Sequence, residues 1–307
     1  MKYIFGPVAS RRLGRSLGVD LIPYKTCSFD CIYCECGTTT TSTLDRKEYV
    51  PRHEILSGVK EYLKQESVPP DHITLGGSGE PTLHAGIGEL IAEIKCMSTI
   101  PIAVLTNGSL LFMKEVREAL LQADVVLPSL DAVSPYVFQC INRPHPTLAI
   151  ETIIQGLKDF RKAFKGKLWL EILFCQGVND TEEEIARLVK TVREINPDKI
   201  QLNSLDRPPA EELVCPVRRE KLEQIRSLFG DKAEIVTGLM EGVTEGSLPE
   251  GKERIIELLK RRPCPLDEIS RALGIRKKQV AELIDILTRE GEVHYRIHNN
   301  QRYYLVR

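Results

Sequence analysis

The sequence predicts an α/β fold with a parallel sheet, followed by a small helical module. Strand and helix patterns alternate in six pairs between residues 17 and 229, which is the order that places helices outside a parallel sheet. A stretch with four glycines and one proline, residues 237–251, then interrupts the pattern and is typical of a linker. We therefore expect a large domain at residues 1–236 and a small domain at residues 252–307.

The elements of the large domain follow from its hydrophobic pattern. Strands are predicted at residues 17–23, 72–76, 101–106, 125–129, 167–174 and 199–203. Helices are predicted at residues 52–65, 86–97, 113–123, 147–164, 181–195 and 218–229, with Asn179 capping the fifth. The pattern fits a doubly wound sheet and a barrel equally well. In both folds, ligands bind at the carboxyl ends of the strands.

Composition excludes several classes of protein. The chain has 307 residues, of which 42% are hydrophobic and 28% charged, and its net charge is -1. No apolar run is long enough to span a membrane, and the N-terminus lacks the apolar core of an export signal. The nine cysteines are spaced irregularly, unlike the disulfide framework of a secreted domain. We therefore expect a cytoplasmic protein with reduced thiols.

Three cysteines follow the first predicted strand at the spacing C-x3-C-x2-C, namely Cys27, Cys31 and Cys34. Thiolates are the usual protein ligands of iron–sulfur clusters, and three of them leave one corner of a four-iron cluster open. A zinc site more often has two C-x2-C halves, and no second half follows here. The spacing therefore predicts an iron–sulfur cluster with an open coordination position.

This motif, with an aromatic residue before its last cysteine, resembles that of the radical S-adenosylmethionine (SAM) enzymes. Three further segments resemble that superfamily in the right order: residues 76–80 (GGSGE), 105–108 (LTNG) and 129–132 (SLDA). Residues 5–12 and 142–146 are most similar to the subgroup that includes the tRNA wyosine-synthesising enzymes. The resemblance covers about residues 3–245. It implies a partial (β/α)6 barrel.

The resemblance also implies the cofactors and their contacts. Cys27, Cys31 and Cys34 would hold a [4Fe–4S] cluster whose open iron binds SAM. Glu80 is expected to accept a hydrogen bond from the ammonium group of SAM, and the neighbouring glycines to let the backbone approach a ligand. The residues expected to contact SAM in this way are Tyr33, Gly77, Ser78, Gly79, Glu80, Thr106, Asn107, Ser129 and Asp131.

Two further groups of residues are candidate ligand contacts. Glu171 and Asn203 lie on the fifth and sixth predicted strands, where an inward polar side chain tends to contact a ligand, and we assign Asn203 to the cofactor site. Four further cysteines follow predicted strands on the same side of the sheet. They could hold a second cluster, although they lack a local C-x2-C pair: Cys36, Cys140, Cys175 and Cys215.

The small domain resembles a winged helix-turn-helix. Helices are predicted at residues 252–261, 266–273 and 276–290, and strands at residues 293–297 and 302–306, with Asn299 and Asn300 at the tip of the wing. Its net charge is about +5 (13 basic minus 8 acidic residues), which leaves about -6 on the rest of the chain. Basic residues at the expected recognition helix and wing favour phosphate contacts: Arg276, Lys277, Lys278, Arg296 and Arg302.

The implied function is that of a radical SAM enzyme. Such an enzyme reductively cleaves SAM at its cluster to a 5'-deoxyadenosyl radical, which abstracts hydrogen from a substrate. An electron donor such as flavodoxin or ferredoxin is the implied partner, and no membrane is expected. The substrate could be RNA, bound in part through the winged helix, or alternatively a peptide, a protein or a small metabolite. A redox-sensing transcription factor is a third reading, but a sensor does not need a SAM site.

Overall fold

The computed structural model describes residues 3–65, 68–236 and 251–306. Within them the larger part of the chain forms an α/β layer structure. Its strands are β1 (Ile4–Ser10), β2 (Gly14–Val19), β3 (Thr26–Cys27), β4 (Thr41–Ser42), β5 (His72–Leu75), β6 (Ile102–Thr106), β7 (Val125–Pro128), β8 (Lys167–Phe174), β9 (Lys199–Ser204) and β10 (Ala233–Ile235). Its helices are α1 (Arg52–Gln65), α2 (Ile87–Met97), α3 (Lys114–Leu120), α4 (Pro135–Asn142), α5 (Ile150–Ala163), α6 (Glu182–Ile195) and α7 (Arg219–Phe229).

The main sheet has eight strands in the order β1-β2-β5-β6-β7-β8-β9-β10. From β2 to β10 every neighbouring pair is parallel, whereas β1 pairs antiparallel with β2. Across the described residues β1 and β10 do not pair, so the sheet is not closed. The predicted parallel α/β fold is confirmed. Because β2 and β5 to β10 are parallel, their carboxyl ends lie at one edge of the sheet.

Several elements differ from the prediction. The edge strand β1 was not expected, because Gly6 and Pro7 interrupt its pattern; the β1–β2 register shifts between Phe5 and Val8, so these residues lie in a bulge. The predicted helix at residues 147–164 is preceded by the separate short helix α4, which begins at Pro135. The short strand β10 was also missed.

Helix α6 illustrates how sequence sets these elements. Thr181, not Asn179, caps it, because the Thr181 side chain accepts a hydrogen bond from the amide of Glu184. Glutamates fill its first turn, where the helix dipole favours negative charge. Its apolar face, which includes Leu188, is buried against the sheet in the main core. Asn179 instead donates hydrogen bonds to the backbone oxygens of Asp131 and Leu173, so the predicted capping role was wrong.

The C-terminal module comprises α8 (Gly251–Arg261), α9 (Leu266–Leu273), α10 (Lys277–Arg289), β11 (Val293–His298) and β12 (Gln301–Val306). These elements match those expected for the small domain. Asn299 and Asn300 have positive φ angles of 47° and 59°, as a tight hairpin turn requires. The module has its own buried cluster, which includes Ile255, Ile269 and Val280. Most of the expected linker, residues 237–250, lies outside the described residues.

The C-terminal module packs against the carboxyl edge of the main sheet. The Tyr303 hydroxyl donates a hydrogen bond of 2.6 Å to the backbone oxygen of Asp206. Arg207, just after β9, donates to Glu268 on α9 at 2.6 Å, and both side chains are 6% exposed. Arg261, the last residue of α8, pairs with Asp20, which follows β2. The module therefore covers the end of the sheet where the site residues lie. Among the described helices, none is long and apolar enough to cross a membrane.

Candidate active site

The cysteine loop, residues 27–34, follows β2 at the carboxyl edge of the sheet. Cys27, Cys31 and Cys34 are free and partly buried. Each sulfur accepts a hydrogen bond from a nitrogen, and the three donors come from different segments: Asn107 Nδ2 to Cys27 at 3.5 Å, Asn142 Nδ2 to Cys31 at 3.5 Å, and Lys25 Nζ to Cys34 at 3.1 Å. Hydrogen bonds to ligand sulfurs tune iron–sulfur clusters.

The pKa values of these thiols differ. Burial raises the pKa of Cys27 to about 12 and that of Cys31 well above its usual value. The pKa of Cys34 is lowered to about 6, first by a hydrogen bond with the Cys36 side chain and then by Lys25. Burial thus disfavours the thiolate at Cys27 and Cys31, whereas coordination to a metal deprotonates a thiol outright. The loop is therefore suited to bind a positively charged metal centre.

The arrangement fits a cluster better than a single ion. In the described part of the chain, no three His, Cys, Asp or Glu side chains are grouped closely enough to share one metal ion. In a four-iron cluster each cysteine binds its own iron, so its ligands need not converge on one point. Three thiols on one loop, each with an amide or ammonium donor, are ligands of the type that such a cluster takes.

The glycine-rich segment after β5 packs on the cysteine loop. A Cβ on Gly77, whose φ is 131°, would collide with the Asp20 side chain, and one on Gly79 would collide with the backbone oxygen of Thr26. Ser78 is buried, and its backbone oxygen accepts a hydrogen bond from Lys25. Glycine at positions 77 and 79 thus lets the segment pack closely on the cysteine loop, and the contact of these residues with SAM stays a prediction.

Glu80 links the ends of β5 and β6. Its Oε1 accepts a 2.6 Å hydrogen bond from the Thr106 hydroxyl, and its Oε2 accepts one of 2.7 Å from the Asn107 amide. Thr82 donates to Oε1 through its amide at 3.0 Å. Burial raises the pKa of Glu80 despite these bonds. The carboxylate has one described partner on Oε2, so that oxygen retains capacity for a ligand donor.

The Tyr33 hydroxyl contacts the Asp131 carboxylate just after the end of β7. Asp131 Oδ2 accepts hydrogen bonds from the Tyr33 hydroxyl at 2.5 Å and from Asn142 at 2.8 Å, and its Oδ1 accepts one from the Leu173 amide at 2.9 Å. Burial raises the pKa of Asp131 to about 6. Both carboxylate oxygens thus already bind protein donors. Asp131 fixes the Tyr33 ring. Ser129, the first residue after β7, forms an isolated backbone β-bridge with Glu171 on β8.

The side chains of Glu171 and Asn203 contact each other, which the sequence did not predict. Asn203 Nδ2 donates to Glu171 Oε1 at 2.5 Å, and Arg12 Nη2 donates to the same oxygen at 2.5 Å. Asn203 is 3% exposed, and its Oδ1 has no described partner. An unpaired buried oxygen at a strand end is a candidate ligand contact. Arg12 was not expected here, although it stands in the segment at residues 5–12 that resembled the wyosine subgroup.

Asn142 forms several hydrogen bonds that hold the cysteine loop, although the sequence did not predict a role for it. Besides its bonds to Cys31 and Asp131, its backbone oxygen accepts a hydrogen bond from Asp30. Phe29 bridges to Pro144. The segment at residues 142–146 therefore lies along the cysteine loop. Its resemblance to the superfamily was the available signal.

The remaining candidate metal ligands have different surroundings. Cys36 donates to the backbone oxygen of Arg261 at 3.0 Å and contacts Cys34. Cys175 is fully buried in the main core, whereas Cys215 is exposed. Cys140 lies on α4, where the described interaction of its side chain is with Tyr136. No contact among these four thiols is present in the described residues.

Comparisons with known proteins agree with this site. Residues 21–189 match the profile of the radical SAM superfamily. A UPF0026 protein of Methanocaldococcus jannaschii is 37% identical over 232 residues, which cover 75% of this chain and 72% of that protein. A protein of Brachyspira hyodysenteriae named GTPase Obg is 37% identical over 309 residues, 99% of this chain, but the chain spans only 45% of that protein's length.

The fold agrees as well. A radical SAM methyltransferase from Sphaerobacter thermophilus superposes with a TM-score of 0.55 at 16% identity, covering 72% of this chain and 65% of that one. At this identity the similarity concerns the fold alone. The profile match covers more than half of the 307 residues, and it includes the cysteine loop, the glycine-rich segment and the ends of β6 and β7. The chain belongs to the radical SAM superfamily.

Proposed function

We propose that the protein holds a [4Fe–4S] cluster at Cys27, Cys31 and Cys34 and cleaves SAM reductively to remove a hydrogen atom from a substrate. The observation that carries the proposal is the cysteine loop itself. Its three thiols lie at the carboxyl edge of the sheet, and each accepts a hydrogen bond from a separate nitrogen donor. An electron donor of low potential, such as flavodoxin or ferredoxin, would supply the electron.

When bound, SAM on the open iron supplies a 5'-deoxyadenosyl radical. The residues of this chain have positioning tasks. We assign the free capacity of Glu80 Oε2 to the ammonium group of SAM, and the unpaired Asn203 Oδ1 to a hydroxyl or amine of the ligand. Tyr33 presents a ring that Asp131 holds in place. Because Cys36, Cys140, Cys175 and Cys215 have separate surroundings, we propose one cluster, not two.

The test is SAM cleavage by the full chain. Anaerobically reconstituted and chemically reduced protein should form 5'-deoxyadenosine and methionine in equal amounts, slowly in the absence of substrate. Cys31→Ala should form neither. Liquid chromatography with mass detection measures both products. The proposal fails if the reconstituted protein contains the cluster and binds SAM but makes no 5'-deoxyadenosine above the Cys31→Ala background.

We further propose that residues 252–307 form a winged helix domain and that the large domain spans residues 1–236. The order of α8, α9, α10 and the β11–β12 hairpin supports this. RNA is a second candidate substrate, favoured by two basic side chains at the start of α10. Arg276 and Lys278 are exposed, and no ion pair of either is described. Lys277 instead pairs with Asp267 at 2.5 Å. The resemblance to the wyosine-synthesising subgroup points to the same substrate class.

If that surface binds RNA, the full chain should bind tRNA with an affinity that falls steeply with salt. Arg276→Glu combined with Lys278→Glu should flatten the slope of log affinity against log salt by about two, because each lost phosphate contact contributes roughly one. Fluorescence anisotropy from low to moderate salt measures the slope. Lys165→Glu with Lys190→Glu, two exposed sites on the large domain, is the matched control and should leave it unchanged. Equal slopes for both double variants would rule out this surface.

A further inference from the structure

Lys25 is a buried cation in the turn that leads into the cysteine loop. It is 3% exposed, although lysine is almost never fully buried unless its charge is paired. Its Nζ donates a hydrogen bond of 3.1 Å to the sulfur of Cys34. Burial disfavours the charged ammonium, but Cys34 and the neighbouring thiols outweigh burial and raise the pKa of Lys25. In the described residues, the strongest attractions on this buried charge therefore come from sulfur.

The backbone of Lys25 is in the left-handed region, with a φ of 56°. Glycine adopts this conformation without steric cost, whereas a lysine there is strained. Hydrogen bonds on both sides hold the strained residue in place. Its amide donates to the backbone oxygen of Ser78 at 2.9 Å, and its own oxygen accepts from the amides of Thr40 and Thr41 at 3.1 Å. A side chain at a position that glycine fits better indicates a use for that side chain.

The three cysteine sulfurs receive different donors. Cys34 accepts the Lys25 ammonium at 3.1 Å. Cys27 and Cys31 instead accept the neutral side-chain amides of two asparagines, each at 3.5 Å. A hydrogen bond from a charged donor is roughly twice as strong as one from a neutral donor. Negative charge is therefore stabilised more strongly at the Cys34 sulfur than at the other two.

A cation beside a ligand sulfur changes the energy of cluster reduction. A four-iron cluster bound by thiolates gains one negative charge when it is reduced, and its reduction potential depends on net charge and on hydrogen bonds to the sulfurs. Because Lys25 is buried, water and salt screen its charge less than that of a surface lysine. Its ammonium should therefore stabilise the reduced form more than the oxidised form.

We propose that Lys25 is a positioning residue that raises the reduction potential of the cluster through its hydrogen bond to Cys34. The inference rests on the proposed function, because it requires a cluster bound at Cys34. It deepens that function at the step of electron transfer, in which one electron passes from the reduced donor to the cluster while Lys25 keeps its proton. A less negative potential lets a donor such as flavodoxin or ferredoxin supply that electron more readily.

The reduction potential of the anaerobically reconstituted full chain tests the proposal. It is measured without SAM, by a redox titration that is followed by electron paramagnetic resonance. Lys25→Met removes the ammonium and keeps a side chain of similar length. We expect it to shift the equilibrium toward the oxidised cluster roughly tenfold to a hundredfold, because a hydrogen bond from a charged group is lost. This corresponds to a potential about 60–120 mV more negative, at about 59 mV for each tenfold in a one-electron step.

Lys47→Met is the matched control. Lys47 is exposed, and its Nζ lies 4.9 Å from the centre of the Tyr49 ring, so solvent screens its charge. This substitution should leave the potential unchanged. Lys25→Gln replaces the ammonium by a neutral amide and should also lower the potential. It decides the outcome if Lys25→Met does not assemble the cluster.

An unchanged potential in the Lys25 variants, or an equal shift in Lys47→Met, would overturn the proposal. Lower cluster content at an unchanged potential would overturn it too, because Lys25 would then only stabilise the loop. Formation of 5'-deoxyadenosine by the unaltered protein is measured in parallel. If the potential shifts as expected but no 5'-deoxyadenosine forms, the proposed function fails and the role of Lys25 stands.

Discussion

Cys27→Ala, Cys31→Ala and Cys34→Ala should each abolish the iron–sulfur cluster, whereas the unaltered protein should bind about four irons per chain. Each of these thiols lies in a separate hydrogen-bonded position, and a four-iron cluster with one open iron needs all three as ligands. Iron content and the visible absorbance of anaerobically reconstituted protein measure the effect. We expect almost complete loss, the largest effect of any single substitution.

The matched controls are two other cysteines. Cys36 is two residues from Cys34 and binds the backbone of Arg261, and Cys215 is exposed. Cys36→Ala and Cys215→Ala should retain about four irons. If Cys36→Ala loses the cluster while Cys34→Ala keeps it, the ligand assignment is wrong. Iron near eight per chain, lowered by changing Cys175 or Cys215, would establish the second cluster instead.

Arg207→Met should destabilise the protein by up to about 3–5 kcal/mol, because it removes the main cation of the buried Glu268 and of the partly buried Glu35, which keep only Arg262 and Arg11 as partners. Arg207 is 6% exposed at its side chain and donates to Glu35 at 2.9 Å and to Glu268 at 2.6 Å. Burial alone would raise the pKa of Glu35, but Arg207, Arg262 and Arg11 outweigh burial and hold it at about 2. Because Glu268 belongs to the C-terminal module, we expect the module to detach first. Urea unfolding, with proteolysis to follow the module, measures both.

The effect of Arg207→Met on stability should also depend on pH. A carboxyl whose pKa is depressed in the folded state stabilises the protein above its ordinary pKa of 4.5 and loses that contribution as the pH falls toward 2. The stability difference between the unaltered protein and Arg207→Met should therefore shrink below pH 4.5. Arg219→Met is the control, because Arg219 and Glu223 form an exposed pair on α7 and such pairs contribute less than about 0.5 kcal/mol. Equal effects of the two substitutions would contradict the buried network.

Much of the fold could be predicted because the sequence patterns of its strands and turns are local. The strands of the parallel sheet are short apolar runs, and the hairpin turn at Asn299 and Asn300 has residues that accept positive φ angles. The cysteine loop was found for the same reason, since its ligands lie within eight residues. Strand β1 was not predicted, because its bulge breaks the alternating pattern on which strand prediction depends.

The parts of the site that were missed are assembled only in three dimensions. Arg12, Arg207 and Arg261 come from the hairpin, the end of β9 and the end of α8, and no sequence spacing links them. Asp131 was expected to contact SAM, and the structure adds that its carboxylate accepts hydrogen bonds from Tyr33 and Asn142. Partners so distant in sequence leave no local pattern. For this reason the superfamily motifs locate the cysteine loop and the strand ends, while the contacts of these arginines become visible only in the structure.

The measurement that tests the central claim most directly is the electron paramagnetic resonance spectrum of the reduced protein with and without SAM. If the open position lies on a cluster held by Cys27, Cys31 and Cys34, SAM should change the g values of the signal, because its amino and carboxylate groups bind the fourth iron. Cys36→Ala should show the same change, and Cys31→Ala should show no cluster signal. A cluster signal that SAM leaves unaltered, in protein that binds SAM, would contradict the account.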